Sequence, residues 1–149
     1  MASRREAVTG TLPIVDLAAT CRSMQTVNQQ LFERLGVWVA ATELPRAQQL
    51  FAVASHRHAW HAELWAERSP AIDLEGEQRR PPTSGDDLDD LDGADTTARL
   101  AWYCEQLDAL HASIQDVQAR IEPLLDPGTS RVINLVTADL EELRQRASR

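Results

Sequence analysis

The residues whose types and spacing could support chemistry are mainly histidines. His58 and His61 are three residues apart, so on an α-helix they project from nearly the same side. Imidazole nitrogens and carboxylates are ligands that zinc, iron and copper accept. The pattern raises the hypothesis of a metal site between helices. The residues predicted to form it are His58, His61, His111, Asp139 and Glu43.

The same histidines have a structural alternative. His58 and His61 lie on the apolar stripe of their segment, and imidazole is amphipathic enough to sit at helix interfaces. Asn28, Thr42 and Asp139 are polar residues that could satisfy their ring nitrogens. Partly buried structural histidines are more common than metal ligands, so the sequence favours this alternative. Tyr103 could donate a hydrogen bond inside the bundle, but a position at the rim of the core is expected.

Other catalytic patterns are absent from the sequence. The chain contains no lysine, which excludes a Schiff base and a phosphate-loop lysine. It has no G-x-S-x-G segment, and its six glycines are scattered. Cys104 and His111 are seven residues apart, which separates them by about 10 Å on one helix. Whether the protein is an enzyme stays open at this stage.

Charge and composition limit the partners. The net charge is −8 over 149 residues, and most of it lies between Ala71 and Asp95. Nucleic acid and anionic membrane surfaces are therefore excluded as expected partners, because both need a basic patch. The sequence MASRREAVTG has no apolar core of a signal peptide, and no apolar run approaches the ~18 residues of a membrane span. With two distant cysteines and no disulfide framework, we expect a cytoplasmic protein.

Apolar residues recur at helical spacing along most of the chain, and good helix formers dominate the composition. The fold class predicted is all-α. The predicted helices span about 16–42, 45–68, from Asp95 to before Pro123, and 130–146. Asp16 and Asp95 are the predicted N-caps, because a carboxylate accepts hydrogen bonds from the free amides of a first turn.

The connections predict how these helices are arranged. Residues 1–15 form an N-terminal arm, and residues 16–149 form one four-helix bundle. Short links join the helices into two antiparallel hairpins. Between the hairpins, residues 71–94 read as a flexible acidic link, because their charges repel and their apolar content is small. A link of this length can cross the whole bundle.

Four helices, a long link between the second and third, and histidines on helix 2 resemble the ferritin-like superfamily. The resemblance implies that helices 2 and 3 run parallel. The superfamily's di-iron proteins carry Glu-x-x-His on helices 2 and 4, but here His58 precedes His61 by three and Ser55 precedes His58 by three. Helix 4 has no histidine, and only Glu43 could serve from helix 1. The resemblance therefore implies a di-iron site that is missing or rebuilt, and it implies no oxidase activity.

Second apolar stripes on the first two helices indicate an interface with a partner. The predicted interface residues are Trp60, Val53, Phe32, Gly36 and Val39. We expect a small cytosolic bundle that acts by interaction, as a homodimer or with another protein, and without its own catalysis. The alternative is a metal-binding ferritin-like protein or metalloenzyme. A third possibility is a small apolar ligand held near Trp38 by the small residues Ala40, Ala41 and Ala54.

Overall fold

The computed structural model of the protein describes residues 12–74 and 91–149. This part of the chain folds into four helices and contains no strand, which confirms the all-α prediction. The helices are α1 (Ile14–Ala41), α2 (Pro45–Arg68), α3 (Thr96–Ala119) and α4 (Pro127–Ala147). Most of the predicted N-terminal arm and most of the acidic link lie outside the described residues. None of the described helices is both long enough and apolar enough to cross a membrane.

Two of the predicted helix starts are wrong. Helix α1 begins at Ile14 with Pro13 as its N-cap, so Asp16 lies in the first turn and does not cap it. Helix α4 begins at Pro127, three residues before the predicted start, because the Asp126 carboxylate accepts a hydrogen bond from the Thr129 amide at 3.0 Å. The proline at the first helical position has the φ that a helix needs.

The predicted cap of α3 is confirmed. The Asp95 carboxylate accepts a hydrogen bond from the Ala98 amide at 2.8 Å. The start and end of α2 also agree with the prediction, since Pro45 occupies its first turn and Pro70 follows its end. Prolines are reliable boundary signals because they fit a first turn but clash inside a helix.

The apolar faces of the four helices meet in one core. Its largest fully buried side chains are those of Trp38, Phe51, Trp65 and Tyr103. The Trp38 ring meets the rings of Phe51 and Trp102 edge to face, with centroids 5.6 and 5.4 Å apart. Such geometry places the positive ring edge against the negative face of a neighbour. The core therefore joins residues from α1, α2 and α3.

Helices α1 and α2 approach each other at Gly36. The Ser55 hydroxyl of α2 donates to the Phe32 carbonyl of α1 at 2.8 Å, and a Cβ on Gly36 would lie 3.4 Å from the same hydroxyl oxygen. The Gln48 amide of α2 donates to the Val39 carbonyl at 3.0 Å. Gly36 thus lies where α1 packs closely against α2.

A buried arginine secures the end of the bundle where α3 begins. The Arg99 guanidinium donates to the carbonyls of Leu91, Asp92 and Ala41, and it lies 5.3 Å from the centre of the Trp38 ring. Helix α1 has no basic residue in its last turn, so Arg99 supplies the positive charge that its C-terminus favours. The Trp38 indole in turn donates to the Asp92 carboxylate at 3.1 Å.

Candidate functional site

His58 lies at the centre of the bundle and is fully buried. Its Nδ1 atom is 2.8 Å from Asn28 Oδ1 on α1, and its Nε2 atom is 2.9 Å from the Tyr103 hydroxyl on α3. The rings of His58 and Tyr103 meet edge to face at 5.8 Å. One side chain of α2 therefore joins three helices through both of its ring nitrogens.

The directions of these hydrogen bonds follow from Asn28. Its Nδ2 atom donates to the Met24 carbonyl at 2.8 Å, and a carbonyl can only accept, so Oδ1 must face the imidazole. His58 Nδ1 must then carry the proton. Its Nε2 atom is left as an acceptor, and the Tyr103 hydroxyl donates to it. Each link thus sets the direction of the next.

The charge states agree with this chain of hydrogen bonds. Burial, helped by the neighbouring His61, lowers the pKa of His58 to about 3, so the ring is neutral at pH 7. Burial also raises the pKa of the Tyr103 hydroxyl, which keeps its proton. Because both ring nitrogens of His58 are engaged, neither has a lone pair free for a metal ion.

His61 extends this cluster toward α4, and we call His58, Asn28, Tyr103, His61 and Asp139 together the polar layer. Its Nε2 atom donates to Asp139 Oδ2 at 2.8 Å, and its ring meets His58 edge to face at 5.7 Å. Arg57 lies 3.5 Å from the other Asp139 oxygen and donates to Glu142 at 2.8 Å. Burial lowers the pKa of His61, and the hydrogen bond to Asp139 opposes that shift. The neutral ring leaves Nδ1 with a free lone pair.

Two buried polar atoms beside this layer lack a hydrogen-bond partner among the described residues: His61 Nδ1 and Trp65 Nε1. They belong to residues four apart on α2, which lie on the same side of the helix. One is an acceptor and the other a donor. Most buried polar atoms in proteins are paired, so this pair is the part of the layer with unused hydrogen-bonding capacity.

Of the five predicted metal ligands, the structure bonds His61 to Asp139 and places the His58 ring 5.7 Å from that of His61, but both nitrogens of His58 are engaged elsewhere. His111 is partly exposed on α3, with its Nε2 atom 3.9 Å from Glu141, and Glu43 is exposed beyond the end of α1. Within residues 12–74 and 91–149, no three His, Cys, Asp or Glu side chains form a group that could hold a metal ion. The structural alternative for the histidines fits this geometry better, and the metal site stays a prediction.

The position expected for Tyr103 is wrong. It was expected at the core rim, but it is fully buried and bonded to His58. Its place on the cleanest apolar stripe of the sequence was the signal for burial. Arg57 was not singled out, since nothing in its spacing marks it as the partner of Asp139. Thr42, a suggested histidine partner, instead donates to the Trp38 carbonyl at 2.6 Å.

The alanines suggested to hold a small apolar ligand near Trp38 do not lie in one place. Ala40 and Ala41 are exposed on α1, whereas Ala54 is fully buried on α2. The two exposed alanines do not line an interior cavity.

Comparison with protein-family models, with curated proteins and with solved structures gives no match for this chain.

Proposed function

We propose that this protein is a cytoplasmic helical bundle that acts by binding a second copy of itself, without catalysis of its own. The polar layer supports a structural role for the residues that could otherwise do chemistry. His58 and His61 are fully buried, and their hydrogen bonds end on Asn28, Tyr103 and Asp139 of the other three helices. Both cysteines are free, which fits a reducing compartment.

We further propose that the helices form antiparallel hairpins in the ferritin-like order. Support comes from hydrogen bonds and ion pairs between helices. Along each pair of helices, the residue numbers of the contacts increase on one helix while they decrease on the other. Between α1 and α2 they are Asn28–His58, Phe32–Ser55 and Val39–Gln48. Between α2 and α4 they are His61–Asp139 and Arg68–Asp126, and between α3 and α4 they are Asp108–Arg144 and His111–Glu141. Because α2 and α3 are each antiparallel to α4, they run parallel to each other.

The observation that carries the proposed interaction is the exposure of two aromatic side chains, one on each helix of the α1–α2 hairpin. Trp60 is 41% exposed and Phe32 is 37% exposed, although both belong to helices whose other faces are closed in the core. The Phe32 carbonyl bonds Ser55, which lies five residues before Trp60. Exposed tryptophan and phenylalanine are enriched at protein interfaces. We call Phe32 and Trp60 the outer aromatic pair.

Of the other predicted interface residues, Val39 and Val53 are partly buried against the core. Gly36 is exposed but has no side chain to contribute apolar contact. The proposed contact therefore centres on the outer aromatic pair. The Trp60 ring lies 5.9 Å from the ring of His61, so the surface adjoins the polar layer directly.

Sedimentation of the full chain over a range of concentrations tests the proposal. We expect a dimer whose dissociation constant rises at least about tenfold in Trp60→Glu and in Phe32→Glu, because a buried aromatic anchor carries much of an interface's energy. Leu135→Glu on α4 is the matched control, since Leu135 is exposed to a similar degree, at 38%. It should dimerise like the original chain.

Two results would count against the dimer. The original chain could sediment as a monomer at high micromolar concentration, or Leu135→Glu could weaken association as much as Trp60→Glu. Circular dichroism of each variant establishes that it is folded. Repeating the run with a chelator identifies a metal-bridged dimer, which would dissociate.

A further inference from the structure

A cavity of about 680 Å³ lies at the end of the bundle where α2 begins. This volume is in the range typical of small-molecule sites. The cavity is lined mainly by apolar side chains from the start of α2, the start of α3 and the end of α4. They are those of Leu44, Ala47, Leu50, Val53, Leu100 and Ala147. None of the residues of the polar layer lines it.

The charged residues that line this cavity are all arginines. They are Arg46, Arg146 and Arg149, and no acidic residue of the described chain lines it. Arg146 is neutralised by Glu142 at 2.6 Å. Arg46 and Arg149 make no ion pair with any residue that the structure describes. In a protein of net charge −8, a cavity with unpaired positive charge stands out.

The polar and apolar parts of the cavity are separated in depth. Ala47 and Leu50 are buried, whereas Arg46 and Arg149 are exposed. Helix α2 begins here without a side-chain cap and favours negative charge, whereas α4 ends at the same cavity and favours positive charge. The arginines therefore carry the positive charge. The result is an apolar floor beneath a cationic mouth.

We propose that this cavity binds a small amphipathic anion, a free monocarboxylate with an unbranched aliphatic tail, for which decanoate serves as the probe. The carboxylate pairs with Arg46 and Arg149, since a guanidinium can bind a carboxylate through two parallel hydrogen bonds. The tail lies along Leu50 and Leu100, where contact with their side chains removes its CH₂ groups from water. This site is separate from the outer aromatic pair and does not rest on the proposed dimer.

Calorimetric titration of the full chain with decanoate, decanol and decyltrimethylammonium, below micelle-forming concentrations, tests the proposal. The three probes share a tail and differ in charge. We expect saturable one-to-one binding of decanoate, at least about tenfold tighter than decanol, because a hydrogen bond to a charged group is stronger than one between neutral groups. The cationic probe should bind more weakly than decanol. Added salt should weaken decanoate binding alone.

Arg46→Gln combined with Arg149→Gln should remove the preference for decanoate and leave decanol binding unchanged. The matched control combines Arg22→Gln with Arg131→Gln, two exposed arginines outside this cavity that give the same change in net charge. The control pair should bind decanoate like the original chain. Leu100→Trp should fill the apolar part and weaken decanoate and decanol together.

Several outcomes would overturn the site. They are no saturable binding of decanoate, equal affinity for decanoate and decanol, or an equal loss in the control pair. Binding of an acidic peptide in place of decanoate would show that the cavity receives a protein segment and not a free acid. If Leu100→Trp fails to fold by circular dichroism, the arginine variants decide alone.

Discussion

Removal of one oxygen atom from the core gives the sharpest test of the polar layer. Tyr103→Phe keeps the ring and deletes only the hydroxyl that donates to His58 Nε2 at 2.9 Å. The imidazole cannot turn to compensate, because its Nδ1 proton is held by Asn28 at 2.8 Å. A buried lone pair is left without a donor.

The size of the effect follows from that unpaired atom. A buried acceptor that loses its partner costs about 1–3 kcal/mol of folding free energy. For a domain of this size, the loss corresponds to a fall of about 2–12 °C in Tm. Urea unfolding followed by circular dichroism measures it, and an unchanged m-value shows that the unfolded state is the same.

A double-mutant cycle with His58→Leu supplies the control. In that background the Tyr103 hydroxyl already lacks its acceptor, so Tyr103→Phe should cost nothing or stabilise the protein. Equal costs in both backgrounds would refute the hydrogen bond. A cost below about 0.5 kcal/mol in the original chain would mean that water reaches the layer and replaces the hydroxyl.

Three further predictions concern stability, each measured by urea unfolding. The pKa of His58 falls from 6.5 to about 3 on folding, so between these values the unfolded chain binds the extra proton. Stability should therefore decrease on acidification below pH 6.5, by about 1.4 kcal/mol per pH unit for this site, with a shallower slope in His58→Leu. Asp126→Ala should lower the free energy of unfolding by about 1–3 kcal/mol, because it removes both the cap of α4 and the carboxylate that Arg68 binds at 2.8 Å. A smaller loss would mean that the cap is dispensable. Gly36→Ala should stabilise by up to about 1 kcal/mol through helix propensity, since its Cβ meets Ser55 at an ordinary 3.4 Å, and a loss would indicate a tighter α1–α2 contact.

The sequence predicts the helices well where a residue has one structural meaning. Pro45 can begin a helix but cannot continue one, and the start of α2 was predicted to the residue. The run Asp126-Pro127-Gly128 has two meanings. Proline and glycine together are typical of the end of a helix, but here the carboxylate caps α4 and the proline begins that helix. The residue types in such a run do not show whether it ends one helix or begins the next.

The polar layer was predictable only within one helix. Spacing on α2 indicates that His58 and His61 point inward, and both are fully buried. Their partners depend on how far each neighbouring helix slides along α2, which the side-chain packing of the whole core decides. Spacing also cannot choose between adjacent residues of one stripe. Tyr103 is fully buried, whereas Cys104 is partly exposed and faces Arg144 at 3.5 Å.

The one-way hydrogen bonds at the centre of the bundle also fix the register of its helices. Tyr103 donates to His58, His58 donates to Asn28, and Asn28 donates to the Met24 carbonyl. A slip of α1 by one turn, about 5.4 Å, would break the His58–Asn28 bond, and the same slip of α3 would break the Tyr103–His58 bond, while the apolar stripes could still pack. We expect the layer to select one packing among several of similar apolar burial, as a buried asparagine does in coiled coils. Full helicity with poorly dispersed side-chain NMR signals in His58→Leu is the signature of its loss, and a sharp, dispersed spectrum would argue against it.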